Sequence, residues 1–245
     1  MPSPLKQFLL LAVSMAGISA HAAEPILDWD ELDPNAPLPA FVGTHIYLGG
    51  AKPDSLRLVT SETLPANPFP NSPAAISVNV IEGDPFFRGW GRAFLNGGKP
   101  KGFFEFHFRL EEGGAAFTVG QNATPYEERV LEAFAFLNPG DEFVAADFVA
   151  GQLATIQHNK VATSSKTELS TGVNYLFRVE WDFTSDTPGF RFFLDGNPLE
   201  NVADNTPFFW PANETQVQRG VDSFSFSSTS PGSGFFGNIG VGQGD

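Results

Sequence analysis

The chain has 245 residues, 42% hydrophobic and only 17% charged, with 25 glycines, 20 prolines and 26 phenylalanines. That much glycine and proline excludes a helical bundle, while phenylalanine suits half-buried pleated surfaces. The 14 basic and 28 acidic residues give a formal charge of −14, which argues against nucleic-acid and anionic-lipid partners, and the absence of cysteine excludes disulfides, thiolate zinc sites and cysteine nucleophiles.

In chain order, Met1 to Ala22 reads as a secretory signal peptide. Lys6 supplies the positive charge, Phe8 to Val13 the apolar run, and Ala20-His21-Ala22 a small-x-small cleavage pattern. A secreted or periplasmic protein is expected, with residues 23–245 forming one domain. No later run approaches ~20 apolar residues, so no membrane insertion is expected. Asp28, Asp30, Glu31, Asp33 and Asn35 form an acidic cluster whose oxygens suit calcium, although it lacks the glycine and distant glutamate of an EF-hand loop. The same residues also read as a solvated turn. The stretch from Ala23 to Pro73 is rich in proline, which removes ladder donors, so it reads as edge strands and long loops.

Ala74 to Ile81 reads as a strand ending in a turn at Glu82-Gly83-Asp84-Pro85. Gly102 to Leu110 is the clearest strand, with Phe104, Phe106, Phe108 and Leu110 on one face and Phe103, Glu105, His107 and Arg109 on the other. Ala115 to Val119 is expected as its neighbour. Arg129 to Leu137 fits both helix and strand periods, and the turn residues after it favour strand. Phe143 to Val149 and Gln152 to Val161 follow. Asn174 to Phe183 places Phe177, Val179, Trp181 and Phe183 inward. Phe190 to Leu194 returns after a turn, and Val221 to Ser227 and Phe235 to Val241 close the chain. On the order of a dozen strands with turn signals between them predict an all-β, two-sheet antiparallel sandwich. Phe104, Phe106, Phe108, Phe177, Val179, Trp181, Phe192, Leu194, Phe224 and Phe226 are expected in its core. A strand around Ile26 to Trp29 is expected near Ile239 to Val241.

Three segments carry a family resemblance. Asn174 to Asp182, followed by Gly189 to Gly196, is similar to a strand pair of the concanavalin A-like lectin/glucanase superfamily, in which a strand ending in Trp-Asp leads to one ending in Asp-Gly. Lys101 to Phe106 resembles the Gly-x-x-Glu strand of laminarinase-type glucanases. Val221 to Phe226 with Asn238 to Gly242 resembles the closing strands of secreted bacterial members. The resemblance implies a jelly roll whose concave sheet often binds glycans. Laminarinase-like hydrolases carry their carboxylates as Glu-x-Asp-x-Glu, and that run does not occur here. Retaining hydrolysis needs its carboxylate pair about 5 Å apart, so this spacing is a physical requirement.

Glu105, His107 and Arg109 are the catalytic candidates. Arg109 could hold a uronate carboxylate while His107 moves a proton. With Tyr126, Gln157 and His158 they resemble in kind the residues of jelly-roll alginate lyases, whose fuller motifs are not reproduced. The plainer reading of the row is the solvated face of a half-buried strand. Trp90, Phe208, Phe209 and Trp210 read as loop aromatics, and the abundance of phenylalanine makes edge-of-core packing the plainer reading of them. Trp90 and Trp210 are the expected sugar platforms, with His107 and Arg109 as hydrogen-bond donors. The negative charge favours a neutral glycan unless Arg88, Arg92 and Arg109 gather locally. The leading expectation is an exported, non-catalytic lectin-like domain that binds glycans, a polysaccharide or cell-surface glycan, or another cell-surface partner. The alternatives are a polysaccharide lyase or glycoside hydrolase acting from the concave sheet, and a structural surface or matrix protein. Calcium is the one cofactor the sequence suggests, with Asp28, Asp30 and Asp33 as its candidate ligands.

Overall fold

A computed structural model of the chain describes residues 24–25, 46–49, 56–80, 88–92, 97–113, 115–120, 132–137, 143–148, 162–164, 169–200, 204–212, 214–228 and 232–243. Its strands, in chain order, are β1 (Glu24–Pro25), β2 (Ile46–Gly49), β3 (Leu56–Thr60), β4 (Ala74–Val80), β5 (Arg88–Arg92), β6 (Lys101–Glu112), β7 (Ala115–Gly120) and β8 (Glu132–Leu137). They continue as β9 (Phe143–Phe148), β10 (Ala162–Ser164), β11 (Tyr175–Asp182), β12 (Gly189–Leu194), β13 (Asn197–Pro198), β14 (Phe209–Pro211), β15 (Ser223–Ser228) and β16 (Gly232–Gln243), with one short helix, α1 (Glu214–Arg219), before β15.

The first sheet runs β13-β12-β11-β6-β16-β4-β3, with β1 added beside β16 and β14 beside β12; the second runs β10-β9-β8-β7-β15-β5-β2. All described strand pairings are antiparallel. Alternation explains the longest strands. Along β6 the even-numbered residues from Gly102 to Leu110 are buried, and along β11 Tyr175, Phe177, Val179 and Trp181 are buried while their neighbours are half-buried. The inward rows meet in one aromatic core. Phe106 touches Phe108, Phe177 and Phe236 at centroid distances of 6.0, 5.5 and 6.0 Å. Phe104 of the first sheet lies 5.3 Å from Phe224 of the second, which ties the two layers together.

Of the residues expected inside, Phe104, Phe106, Phe108, Phe177, Val179, Trp181, Phe192, Leu194 and Phe224 are buried. Phe226 stands in β15 opposite Phe117 and Gly89, and its burial lies outside the description. Glu24 and Pro25 pair with Val241 and Gly240, next to the expected partner strand, while the strand expected at Ile26 to Trp29 lies outside the described residues. The segment Arg129 to Leu137 yields β8, a strand.

One neighbour differs from expectation. Ala115 to Val119 does form a strand, β7, but it does not pair with β6. After the turn at Gly113 the chain crosses to the other layer, where β7 lies between β15 and β8. In the first sheet β6 is already held on both sides, by β11 and β16, so no edge remains for it there. Gln152 to Val161, Glu82 to Pro85 and Met1 to Ala22, for which the sequence predicts a strand, a turn and a signal peptide, lie outside the described residues.

Candidate functional site

The outer face of the first sheet carries Glu105, His107 and Arg109. Glu105 stands opposite Arg178 in register, and Arg178 Nη1 lies 3.2 Å from Glu105 Oε2. The same guanidinium donates through Nε to Glu180 Oε1 at 2.8 Å and lies 3.5 Å above the Phe103 ring. Arg109 donates to Glu111 two residues along the strand, and Lys101 pairs with Asp182 at 3.6 Å. Each charge in the row thus has a partner, and pairs that still reach solvent are worth about 0–1 kcal/mol each. Phe103 is buried on this nominally polar face because Arg178 covers it from above, while β16 offers a glycine beneath it. A Cβ on Gly242 would meet the Phe103 ring at 2.0 Å.

His107 sits differently from its row-mates. The loop from Thr60 to Pro73 folds over the outer face and lays Phe69 against β16, where a Cβ on Gly237 would meet the ring at 2.7 Å. Phe69 is buried with Val59, Ala75 and Phe235 in a small second core outside the main one. Its ring is 5.8 Å from that of His107, and Asn238 Nδ2 lies 3.3 Å from His107 Nδ1. An amide donating there needs an unprotonated Nδ1. Burial lowers the His107 pKa below its ordinary value, and the carboxylates of Glu105 and Asp195 offset only part of that effect.

A pH dependence follows. Below pH ~6.5 an unfolded imidazole takes a proton that the folded one resists, so His107 makes stability fall as pH drops from that value toward its lower folded pKa. Urea midpoints at about pH 7.5 and about pH 5 should therefore differ less for His107→Gln than for the parent chain. An equal acid loss in both would remove His107 as a source of the dependence.

The other expected site residues do not join this row. Trp210 belongs to β14, pairs with Phe190 and is only 4% exposed, so it offers no free indole face to a sugar. Phe208 is buried as well, and Phe209 is half-buried under Arg191, whose guanidinium carbon lies 5.6 Å from the ring centre. Trp90 lies on a strand, not in a loop. It is the middle residue of β5 in the second sheet, in register with Tyr47 on one side and Ser225 on the other. Arg88 and Arg92 end that strand, whereas Arg109 stands on the first sheet, so the three arginines do not gather. Asp28, Asp30 and Asp33 lie outside the described residues, as do Tyr126, Gln157 and His158. Among the described residues no cluster of three or more His, Asp or Glu side chains could hold a metal ion, and no helix is long and apolar enough to cross a membrane.

No protein-family model and no curated protein sequence matches the chain. Solved structures do. A Bacteroides ovatus mixed linkage glucan GH16 in complex with a G4G4G3G product is similar over 82% of this chain and 95% of its own, with a TM-score of 0.54 and 7% identity. A carbohydrate esterase of the Shiga toxin-encoding bacteriophage phi24B is similar over 91% of this chain and 100% of its own, with a TM-score of 0.51 and 9% identity. The carbohydrate binding module CBM66 from Bacillus subtilis covers 68% of this chain and 85% of its own, at a TM-score of 0.42 and 11% identity.

The chain has the concanavalin A-like jelly-roll fold. Within this jelly roll the Trp-Asp and Asp-Gly pairs noted in the sequence have structural duties. Trp181 is core, and Asp182 accepts from the backbone N–H and the hydroxyl of Thr184, which shapes the turn into β12. Burial works against the charged Asp182 carboxylate, but those hydrogen bonds and Lys101 hold its pKa below the usual value. Asp195 and Gly196 both adopt positive φ, 50° and 77°, the geometry of the hairpin turn that follows β12. The second sheet contributes a register row that sequence spacing did not disclose: Tyr47, Trp90, Ser225, Thr118 and Phe134 stand side by side across five strands. Tyr47 and Trp90 are 43 positions apart (90 − 47) in the chain, and only the β2–β5 pairing brings them together.

Proposed function

We propose that the chain is an exported, lectin-like jelly roll that binds glycans without hydrolysing them. The observation that supports this most is the fold, shared over 82% of the chain with a GH16 that holds a glucan product. The register row through Tyr47, Trp90 and Ser225 supplies the residue types such binding needs. Aromatic faces stack on sugar C–H surfaces, and hydroxyls exchange hydrogen bonds with the ring substituents. Catalysis on the first sheet is disfavoured by chemistry already described: Glu105 and Arg109 are held in ion pairs, and His107 is packed under Phe69. Export rests on the segment Met1 to Ala22.

The test is a polysaccharide array followed by calorimetry, with and without calcium because Asp28, Asp30 and Asp33 suit that ion. A neutral glucan should bind, and Trp90→Ala should weaken it about tenfold or more while the thermal transition stays in place. Absence of binding to every polysaccharide under both conditions would sink the reading. New reducing ends or unsaturated product from any polymer would replace it with an enzyme.

A further inference from the structure

At one end of the first sheet's outer face lies an open cleft of about 430 Å³, within the roughly 300–1,000 Å³ range of small-ligand sites. It is lined by Arg57 of β3, Pro65 of the covering loop, Ser77 and Asn79 of β4, Glu111 of β6, and Ser233 and Phe235 of β16. Register explains the gathering. Arg57, Ser77 and Phe235 lie in one row across β3, β4 and β16, and Asn79 and Ser233 in the next. Glu111 arrives by a bulge. Leu110 pairs with Gly234 and Glu112 with Ser233, so Glu111 is the extra residue, and bulges of this kind re-aim a side chain.

The Pro65 wall is built before any ligand arrives. Asn67 donates from its backbone to Thr60 O at 2.8 Å and from its side chain to Ser72 O at 2.7 Å. Thr63 Oγ1 donates to Pro65 O at 2.8 Å, and Asn174 Nδ2 ties the loop down through Pro68 O at 2.8 Å. Phe69 and Phe235 anchor it from below.

The two ends of the cleft make opposite chemical demands. Among the described residues Arg57 has no ion-pair partner, so one end presents a free guanidinium. At the other end the Glu111 carboxylate is engaged by Arg109 through Oε1, and its remaining lone pairs accept hydroxyls. Between them stand two serine hydroxyls and an amide over the Phe235 floor. We infer that this cleft is a second binding site, which takes a uronic acid unit of a saccharide with its carboxylate on Arg57 and its hydroxyls on Glu111, Ser77, Asn79 and Ser233. A neutral sugar leaves the guanidinium without its match, and a bare carboxylate leaves the hydroxyl groups unused. The molecule's overall negative charge does not forbid this, because at physiological salt a charge is screened beyond about 8 Å. The site does not depend on the row through Trp90, which lies on the other sheet.

Amide-resolved NMR titration of the full chain with digalacturonate, and separately with cellobiose, tests the inference. Digalacturonate should shift the amides of Ser77, Asn79 and Ser233, and cellobiose, whatever it does at Trp90, should move those amides with an affinity at least about tenfold weaker. Arg57→Ala should lower the digalacturonate affinity by about tenfold or more, and raising salt should lower it too. Asn79→Leu, nearly isosteric but without the amide, removes a hydroxyl partner without touching the guanidinium and should also weaken it. Equal affinity of the two sugars read at those amides, no shift there, or full affinity in Arg57→Ala would each overturn the proposal. So would loss of digalacturonate binding in Trp90→Ala, which would move the site to the second sheet. A glucan bound through Trp90 with no digalacturonate response would refute the cleft and leave the other face standing.

Discussion

Trp181→Ala is expected to cost roughly 3–5 kcal/mol, among the largest losses any single substitution could cause in this domain. Trp181 is 1% exposed and stands in the middle of the first sheet, between Phe190 on β12 and Gly102 on β6. Its ring lies 5.1 Å from that of Phe104, which in turn contacts Phe224 across the sandwich. Truncation therefore opens a void where the two layers meet, and the flanking strands, held by ladders on both sides, have little freedom to collapse into it. The indole N–H also donates to Lys99 O at 2.9 Å, but that carbonyl keeps a second donor, Val221 N at 2.9 Å. The cost is thus mainly packing, with no orphaned acceptor. Urea denaturation should show a lower midpoint at an unchanged slope. A loss below about 1 kcal/mol would mean that the layers can slide to close the gap.

The parts of the fold that could be read in advance are those whose signal is local. β6 and β11 are half-buried, so their period of two is written in the chain, and the turn at Asp195-Gly196 is written in residue types that tolerate positive φ. Where a strand goes after its turn is not a local property. Gly113 marks the end of β6, but nothing in Ala115 to Val119 says that it crosses to the other sheet. The helix α1 is six residues long with Val217 as its one partly buried apolar residue, too short for a period to show. Trp210, flanked by Pro207 and Pro211, has the surroundings of a loop residue. It is buried because β14 adds to the edge of β12 opposite Phe190, a contact made across 20 positions (210 − 190). The row Glu105, His107, Arg109 was visible as a row, but its partners lie elsewhere: Arg178 on β11, Asn238 on β16, Phe69 in the covering loop. Pairing between distant strands decides whether a polar row is a site or a charge ladder, and in this row it makes a ladder. The same pairing assembles the cleft at Arg57 and the row at Trp90, neither of which has a motif in the linear chain.

Removing Phe235 to Asp245 should unfold the domain instead of trimming a tail. β16 lies between β6 on one side and β4 with β1 on the other, and among the described strands it is what joins β4 and β3 to the rest of the first sheet. The deletion leaves only Gly232 to Gly234 of β16 between β4 and β6 and unpairs the ladder groups that faced Phe235 to Gln243, a cost that adds to lost burial. Phe235, Phe236, Ile239 and Val241 are all buried, and at about 1.5–3 kcal/mol each their burial is worth about 6–12 kcal/mol. That is comparable with the whole stability of a typical domain, about 5–15 kcal/mol. The damage also reaches the outer face. Phe69 packs on Gly237, so the covering loop loses its floor, and His107 loses Asn238. The truncated chain should show collapsed amide dispersion in NMR and rapid proteolysis, at temperatures where the parent chain resists both. A truncated chain that kept native dispersion and a cooperative transition would mean that β4 can close directly onto β6, and that β16 is dispensable to the sandwich.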